Sequence, residues 1–229
     1  MDPDQPLRAS PEQRKMRLDP GVSPPSLPLP MASWFKQLKE KRKYSKWIED
    51  GRPDPPPPLA KREMLLDYKK RHDLQFLVET GTFKGDTVEA MRGEFRKVYS
   101  IELSEMFYAE AKKRFSGISN VELRQGDSGK VMPEVVAKLD APTLFWLDGH
   151  YSGGDTAQGD LNCPVWGELE AIFAGMTQPF VVLIDDARCF RHVGAVDYPA
   201  VSDIEKWVAE RRPDLGLEVA MDCIRIAPK

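Results

Sequence analysis

The sequence is short of cysteine and of long apolar runs, and each shortage removes a class of protein. Three cysteines, Cys163, Cys189 and Cys223, are an odd number without metal-site spacing, so neither a disulfide framework nor a thiolate metal centre is expected. Reduced thiols in a cytoplasmic protein are the expectation. No uninterrupted apolar stretch reaches the ~18 residues that a transmembrane helix needs, and the first residues lack the apolar core of a secretory leader. A surplus of one charge is missing too. The 33 Lys and Arg stand against 36 Asp and Glu, a net charge of -3, which argues against nucleic acid as a partner. Two phosphate signatures are also absent. There is no G-x-x-x-x-G-K-[ST] loop, and a G-x-G-x-x-G begun at Gly81 would need glycine where the chain has Phe83 and Asp86.

Proline is plentiful but uneven, with 13 of the 20 in the first 60 residues. Residues 1–30 are polar and Pro-rich without apolar periodicity, so they are expected to be a disordered tail, and Met31 is an alternative start. Over 33–49, Trp34, Phe35, Leu38, Trp47 and Ile48 sit among Lys36, Lys39, Lys41, Arg42, Lys43 and Lys46. This pattern predicts a basic amphipathic helix, docked on the main domain with its basic face in water. The other reading is a helix for a membrane surface or a partner. GRPDPPPP at 51–58 ends it as a stiff polyproline spacer, and a capping helix is expected over 59–72. Residues 31–72 thus precede a main domain at 73–229. Their helices are candidates for covering a cofactor, capping the sheet or joining copies into a homo-oligomer.

From residue 73, short apolar runs alternate with helical stretches. The runs are Phe76–Thr80, 97–101, 121–124, Thr143–Leu147 and Phe180–Ile184, and helical patterns fill 85–94, 104–115, 129–139 and 164–175. Such alternation predicts an α/β fold, a doubly wound, mostly parallel sheet with helices on both faces. A helix near 200–212 precedes two last runs, 217–221 and 223–226. Their link is too short for a helical crossover, so they are expected to form an antiparallel C-terminal hairpin.

Acids fall at the ends of the five parallel runs: Glu79, Glu102, Asp127, Asp148, and Asp185 with Asp186. Ligands of open α/β sheets bind at the carboxyl ends of the strands, so six carboxylates are expected along the functional edge. Crowded carboxylates repel one another, and such a rim needs cations or hydrogen-bond donors. Capping of the following helices is the other use for an acid there, above all for Asp127. A ligand with hydroxyls, an amine and no phosphate suits this rim, and S-adenosylmethionine (SAM) has those groups and a sulfonium cation. Glu102 is placed to accept both ribose hydroxyls, and Asp127 to accept the adenine amino group.

Glu79-Thr80-Gly81-x-x-Lys84-Gly85, Ile101-Glu102, Gly126-Asp127 and Leu147-Asp148 together resemble the class I SAM-dependent methyltransferases over about residues 74–228. Within that class, the E-T-G-x-x-[KR]-G turn and Asp185-Asp186 resemble the metal-dependent macrocin O-methyltransferase type. The segment from Leu147 to Gly154 departs from that type's pattern. The resemblance implies a Rossmann-like seven-stranded sheet and SAM held by Glu79, Gly81, Gly85, Glu102, Asp127 and Ser128. Three oxygen ligands from Asp148, Asp185 and Asp186 would suit Mg²⁺, which would hold a small-molecule or glycan acceptor and acidify its hydroxyl.

His150 is a candidate general base beside Asp148, with a supporting place behind the reacting groups or plain loop placement as its other readings. Tyr151 is a candidate for orienting the substrate, and 152–156 is either a lid or a surface turn. His192 has the same two readings, pocket or exposed loop. Arg188 is expected to neutralise the acid rim rather than bind a substrate anion. Trp146, Tyr151, Trp166 and Phe190 are candidates for lining an apolar acceptor pocket, with core packing the expectation for most of them. The leading expectation is Mg-assisted O-methylation of a hydroxylated small molecule or sugar. The alternative is a non-catalytic SAM- or nucleoside-binding module whose N-terminal helix binds a partner or membrane. A nicotinamide oxidoreductase on the same fold is disfavoured by Phe83 and Asp86.

Overall fold

The computed structural model describes residues 31–149, 163–191 and 198–229. The tail expected over 1–30 lies outside them. The chain divides into two units, Met1–Leu38 and Lys39–Lys229. The described part of the first is the opening of helix α1 (Met31–Glu49), where Phe35 and Leu38 are exposed.

The second unit holds the remainder of α1 and an alternating series. Helix α2 (Pro58–Arg71) leads into β1 (Phe76–Thr80), α3 (Asp86–Met91), β2 (Lys97–Glu102), α4 (Glu105–Arg114), β3 (Val121–Gln125), α5 (Ser128–Val136) and β4 (Thr143–Leu147). Then come α6 (Val165–Gly175), β5 (Phe180–Ile184), a 3-10 turn (Ala187–Arg191), α7 (Val201–Arg211), β6 (Leu215–Ala220) and β7 (Cys223–Pro228). The seven strands form one sheet in the order β3-β2-β1-β4-β5-β7-β6. β1 to β5 are parallel, and β7 pairs antiparallel with both β5 and β6. This is the Rossmann-like, mostly parallel sheet with an antiparallel terminal hairpin that the alternation predicts. The hairpin turns at Met221 and Asp222, both with positive φ (53° and 55°), the backbone sign that a two-residue type I′ turn requires.

Side chains alternate across each strand, and both faces are covered. Phe76, Val78, Phe145, Leu147, Val182 and Ile184 join a core with Met132 of α5, Leu169 of α6 and Ile204 of α7. Leu77, Leu144, Trp146, Val181 and Leu183 point the other way, against Met64 and Leu65 of α2, Val88 of α3 and Ala111 of α4. That two-sided burial is why the central runs read as nearly unbroken apolar stretches. β3 lies at the edge and is only half-buried. Its Glu122 accepts from Lys97 (2.8 Å) and Lys138 (2.7 Å). Burial works against that carboxylate's charge, but the two lysines outweigh it and hold its pKa down to about 2. A charged edge of this kind discourages pairing with another sheet.

Within the second unit, α1 docks on α2. Trp47 is buried and its indole N–H donates to the Pro53 carbonyl (2.7 Å). Arg62 forks onto the Glu40 carboxylate (2.9 and 3.2 Å), and Tyr44 donates to Glu63. Lys39, Lys41, Arg42, Lys43 and Lys46 remain exposed. No helix among the described residues is long and apolar enough to cross a membrane. None of the three cysteines is in a disulfide.

The two-sided core sets the cost of truncation. Leu183→Ala, at a fully buried site on β5, is expected to lower unfolding stability by about 2–5 kcal/mol. Val219→Ala, at an exposed position near the end of β6, should change it by less than about 0.5 kcal/mol. Urea denaturation with unchanged slope checks both.

Candidate active site

The register of the parallel strands fixes where the acids meet. Thr80 lies opposite Ile101 and Leu147, Ile101 opposite Arg124, and Leu147 opposite Ile184. The strands therefore end level, and the segments after them share one edge. Thr80 ties two of these ends together, its hydroxyl accepting from the backbone N–H of Asp148 (3.2 Å) and of Gly149 (3.1 Å).

The turn after β1 is closed on itself. Gly81 has φ 81°, and a Cβ there would press into the Asp148 carbonyl, so glycine is required by both conformation and space. Its N–H donates to Ile101 O (2.9 Å), and the Gly85 N–H donates to Thr82 O (2.8 Å). Phe83 takes a positive φ of 48°, uncommon for a bulky residue. Two contacts hold it there: its N–H donates to Glu102 Oε2 (2.7 Å), and its ring meets Phe107 edge-on at 4.7 Å. Glu102 Oε1 accepts from Ser104 N (2.8 Å). One backbone donor on each oxygen thus aims this buried carboxylate, and a carboxylate has lone pairs beyond those two.

The other sequence-predicted cofactor residues are placed differently. Glu79 points into the protein and is 2% exposed. It accepts from the Ser100 hydroxyl (2.7 Å), which lies 2.6 Å from that of Thr82. Burial pushes its pKa up to about 8, against the opposing hydrogen bonds from Ser100 and Thr87. Glu79 therefore braces the turn from behind. Asp127 caps α5, its Oδ1 accepting from Gly129 N (3.0 Å) with Lys130 at 3.6 Å from the other oxygen. The Ser128 hydroxyl donates to Glu168 Oε1 (2.6 Å), a buried acid on α6. The sequence reading missed Glu168, whose one signal is an acid within an apolar helix.

At the ends of β4 and β5 the carboxylates meet cations. Asp185 is 1% exposed. Its Oδ1 accepts from Asp186 N (2.8 Å) and its Oδ2 accepts from the Lys61 ammonium of α2. Asp186 Oδ1 lies 3.6 Å from Lys61 Nζ and accepts from Arg188 Nη1 (2.7 Å). Asp222, from the β6–β7 turn and also 1% exposed, accepts from Arg188 N (2.8 Å) and from the Arg188 guanidinium. The expected rim-neutralising role is the one Arg188 has. Burial disfavours charge on Lys61, but Asp185, Asp148 and Asp186 outweigh it and its pKa is raised. Burial first, then Cys163, Cys189, Asp186 and Asp148, push the Tyr198 hydroxyl up as well. The sequence reading missed Lys61 and Asp222, because neither lies near its partner along the chain. Trp146 and Phe190 are in the core, and Trp166 is partly buried against it. His150, Tyr151, the 152–156 loop and His192 lie outside the described residues.

The metal reading meets a specific obstacle. Both oxygens of Asp185 and one of Asp186 already serve protein donors, and an ammonium sits among them. Among the described residues, no group of three His, Cys, Asp or Glu is arranged to hold a metal ion. Asp148, Asp185 and Asp186 as placed do not fit Mg²⁺, which needs near-octahedral oxygen ligands at ~2.0–2.1 Å.

The Glu79 placement gives a pH dependence. Its folded-state pKa of about 8 lies above the ordinary 4.5, so the folded state keeps a proton that the unfolded chain releases. Its stabilising contribution is complete below the ordinary carboxyl range and is lost as pH rises through about 8. Melting temperatures from pH 5 to 9 should fall with pH, and Glu79→Gln should flatten that fall. An unchanged slope in the variant would remove the assignment.

No family model matches the chain, and no curated protein matches it. Solved structures do. The chain is similar to the O-methyltransferase TomG from Streptomyces achromogenes, involved in tomaymycin synthesis and crystallised with SAM. Identity is 15%, the TM-score is 0.57, and 86% of this chain and 95% of that one are covered. An O-methyltransferase from Bacillus cereus in complex with SAH, the demethylated cofactor, gives 13%, 0.57, 84% and 91%. The SAH-bound methyltransferase PaMTH1 from Podospora anserina gives 13%, 0.53, 91% and 99%. At such identities the likeness is one of fold: the chain has the Rossmann-like fold of these methyltransferases.

Proposed function

We propose that the protein is a SAM-dependent methyltransferase acting on a hydroxyl group of a small molecule or sugar. The observation that carries this reading is Glu102. A buried carboxylate at the end of β2, aimed by one backbone N–H on each oxygen, is the group that accepts the two hydroxyls of a ribose. The fold neighbours crystallised with SAM or SAH support the same cofactor. The first turn supports it from the other side: N–H groups of Gly81, Phe83 and Gly85 are already bonded within the protein, which leaves that turn a poor cradle for a pyrophosphate.

The chemistry asks little covalent work of the protein. The acceptor oxygen attacks the methyl carbon, an O–C bond forms and the C–S bond breaks. Its electron pair returns to sulfur, which becomes a neutral thioether, and the acceptor's proton leaves to a base. What remains for the chain is positioning and proton removal. Asp148, level with the cofactor turn across β1 and β4, lies at the edge where the acceptor would be presented. His150, two residues on in sequence, is our candidate for the base. Thiols outside any disulfide are consistent with a cytoplasmic setting.

Calorimetric titration with SAH tests the reading. Micromolar binding that weakens about 10-fold or more in Glu102→Ala is expected, since lost hydrogen bonds to a charged group cost ~1.5–3 kcal/mol. An unchanged melting temperature in the variant would separate lost binding from lost folding. Binding of SAH without methyl transfer to any hydroxylated acceptor would favour the holding-module reading. Absence of SAH binding to the wild type would end the cofactor assignment.

A further inference from the structure

We infer that the Lys61 ammonium is the resident cation of the carboxylate cluster at the ends of β4 and β5, standing where a divalent metal ion would sit, so that this site works without a metal. The inference rests on the proposed function only for the site's purpose, because the ion pairing stands by itself.

Four aspartates gather here from three parts of the fold: Asp148 after β4, Asp185 and Asp186 after β5, and Asp222 in the β6–β7 turn. Two are nearly sealed from water, Asp185 and Asp222 at 1% exposure each. Buried carboxylates without compensation are strongly unfavourable. Arg188 answers for Asp186 and Asp222, binding both. Asp185 is answered by Lys61, which bonds its Oδ2. The lysine is delivered by a firmly held element. Ala60, Met64, Leu65 and Tyr68 of α2 are buried beside it, and Met64, Leu65 and Tyr68 lie in the same core as Leu183 of β5. Its own side chain is 23% exposed, so Lys61 is not sealed off as Asp185 is.

A divalent ion and this ammonium compete for the same oxygen. Mg²⁺ binds carboxylate oxygens at ~2.0–2.1 Å, and a second cation in hydrogen-bond contact with that oxygen would be repelled at close range. The ammonium is a compact point charge with three donors. One goes to Asp185, with Asp186 at 3.6 Å, and the geometry leaves a donor for an acceptor oxygen. An ammonium orients a single hydroxyl, whereas a metal ion also chelates vicinal pairs, so the site suits acceptors presenting one reacting oxygen.

Mn²⁺ binding followed by electron paramagnetic resonance, on the full chain without SAH, tests this. The wild type is expected to bind no Mn²⁺ below millimolar concentration. Lys61→Met, which keeps the apolar stem and removes the charge, is expected to bind at least 10-fold tighter. Low-micromolar Mn²⁺ binding by the wild type, lost in Asp185→Asn, would overturn the inference, because the lysine would then yield to the metal. No gain in Lys61→Met would overturn it too, since the lysine would not be standing in a metal's place. Should Lys61→Met fail to fold, Lys61→Gln, whose amide still donates to Asp185, replaces it. SAH titration of the same wild-type sample keeps the two readings apart. Mn²⁺ binding alongside SAH binding sinks the lysine assignment alone, and absence of SAH binding sinks the cofactor assignment alone.

Discussion

The constraint on which the site depends is the crowding of carboxylates at one edge of a parallel sheet. Strands that run the same way end together, so any acid placed after a strand is brought beside the acids of its neighbours. Here the level ends of β4 and β5 place Asp148 next to Asp185 and Asp186, and the terminal hairpin adds Asp222. Charge of one sign at that density must be met by cations or given up as protons. The protein uses both answers. Lys61 and Arg188 hold the β4–β5 end, while Glu79, the deepest acid of the β1 end, has its pKa lifted to about 8 by burial. Helix α2 therefore has a second duty. It covers the sheet with Met64 and Leu65, and it carries the cation that the edge requires.

How much of this is legible in the sequence depends on distance along the chain. Strand runs and helix patterns are local, and among the described residues each of the seven strands and the seven helices lies where these local patterns predict, with ends displaced by a few residues. Those shifts come from hydrogen bonding that apolar patterning does not record. Glu102 still pairs with Gln125 at the end of β2, and Leu215 begins β6 opposite Pro228. The need for cations is legible as well, because six acids at strand ends pose the problem in one dimension. The identity of the cation is not. Lys61 and Asp185 are separated by 124 positions, and a lysine in a helix rich in lysine and arginine carries no mark of the carboxylate it will meet. Arg188 stands two residues from Asp186, close enough for its role to be read. Ser128 and Glu168 repeat the lesson at a separation of 40: the hydroxyl reads as a binding group, and its buried partner turns it inward.

The two halves of the edge ask for different explanations. The β1–β3 half is ordinary turn and cap chemistry arranged around Glu102. Asp127 commits an oxygen to its helix, Glu79 braces from behind, and the Gly81, Phe83 and Gly85 N–H groups are bonded within the protein. A module that only holds a nucleoside would need that half and nothing more. The β4–β5 half is electrostatically the more demanding one. It gathers four carboxylates, two of them nearly sealed from water, with two cations that keep part of their side chains in water, and burying paired charge is often less stable than apolar packing of the same volume. Crowded charge of this kind is expected where a protein gives up stability for chemistry. The carboxylates lie at the ends of β4 and β5, on the same edge as the β1 turn, where the proposed function would present an acceptor. Under the proposed function that cost has a use, in orienting a hydroxyl and removing its proton, whereas the holding-module reading gives it none.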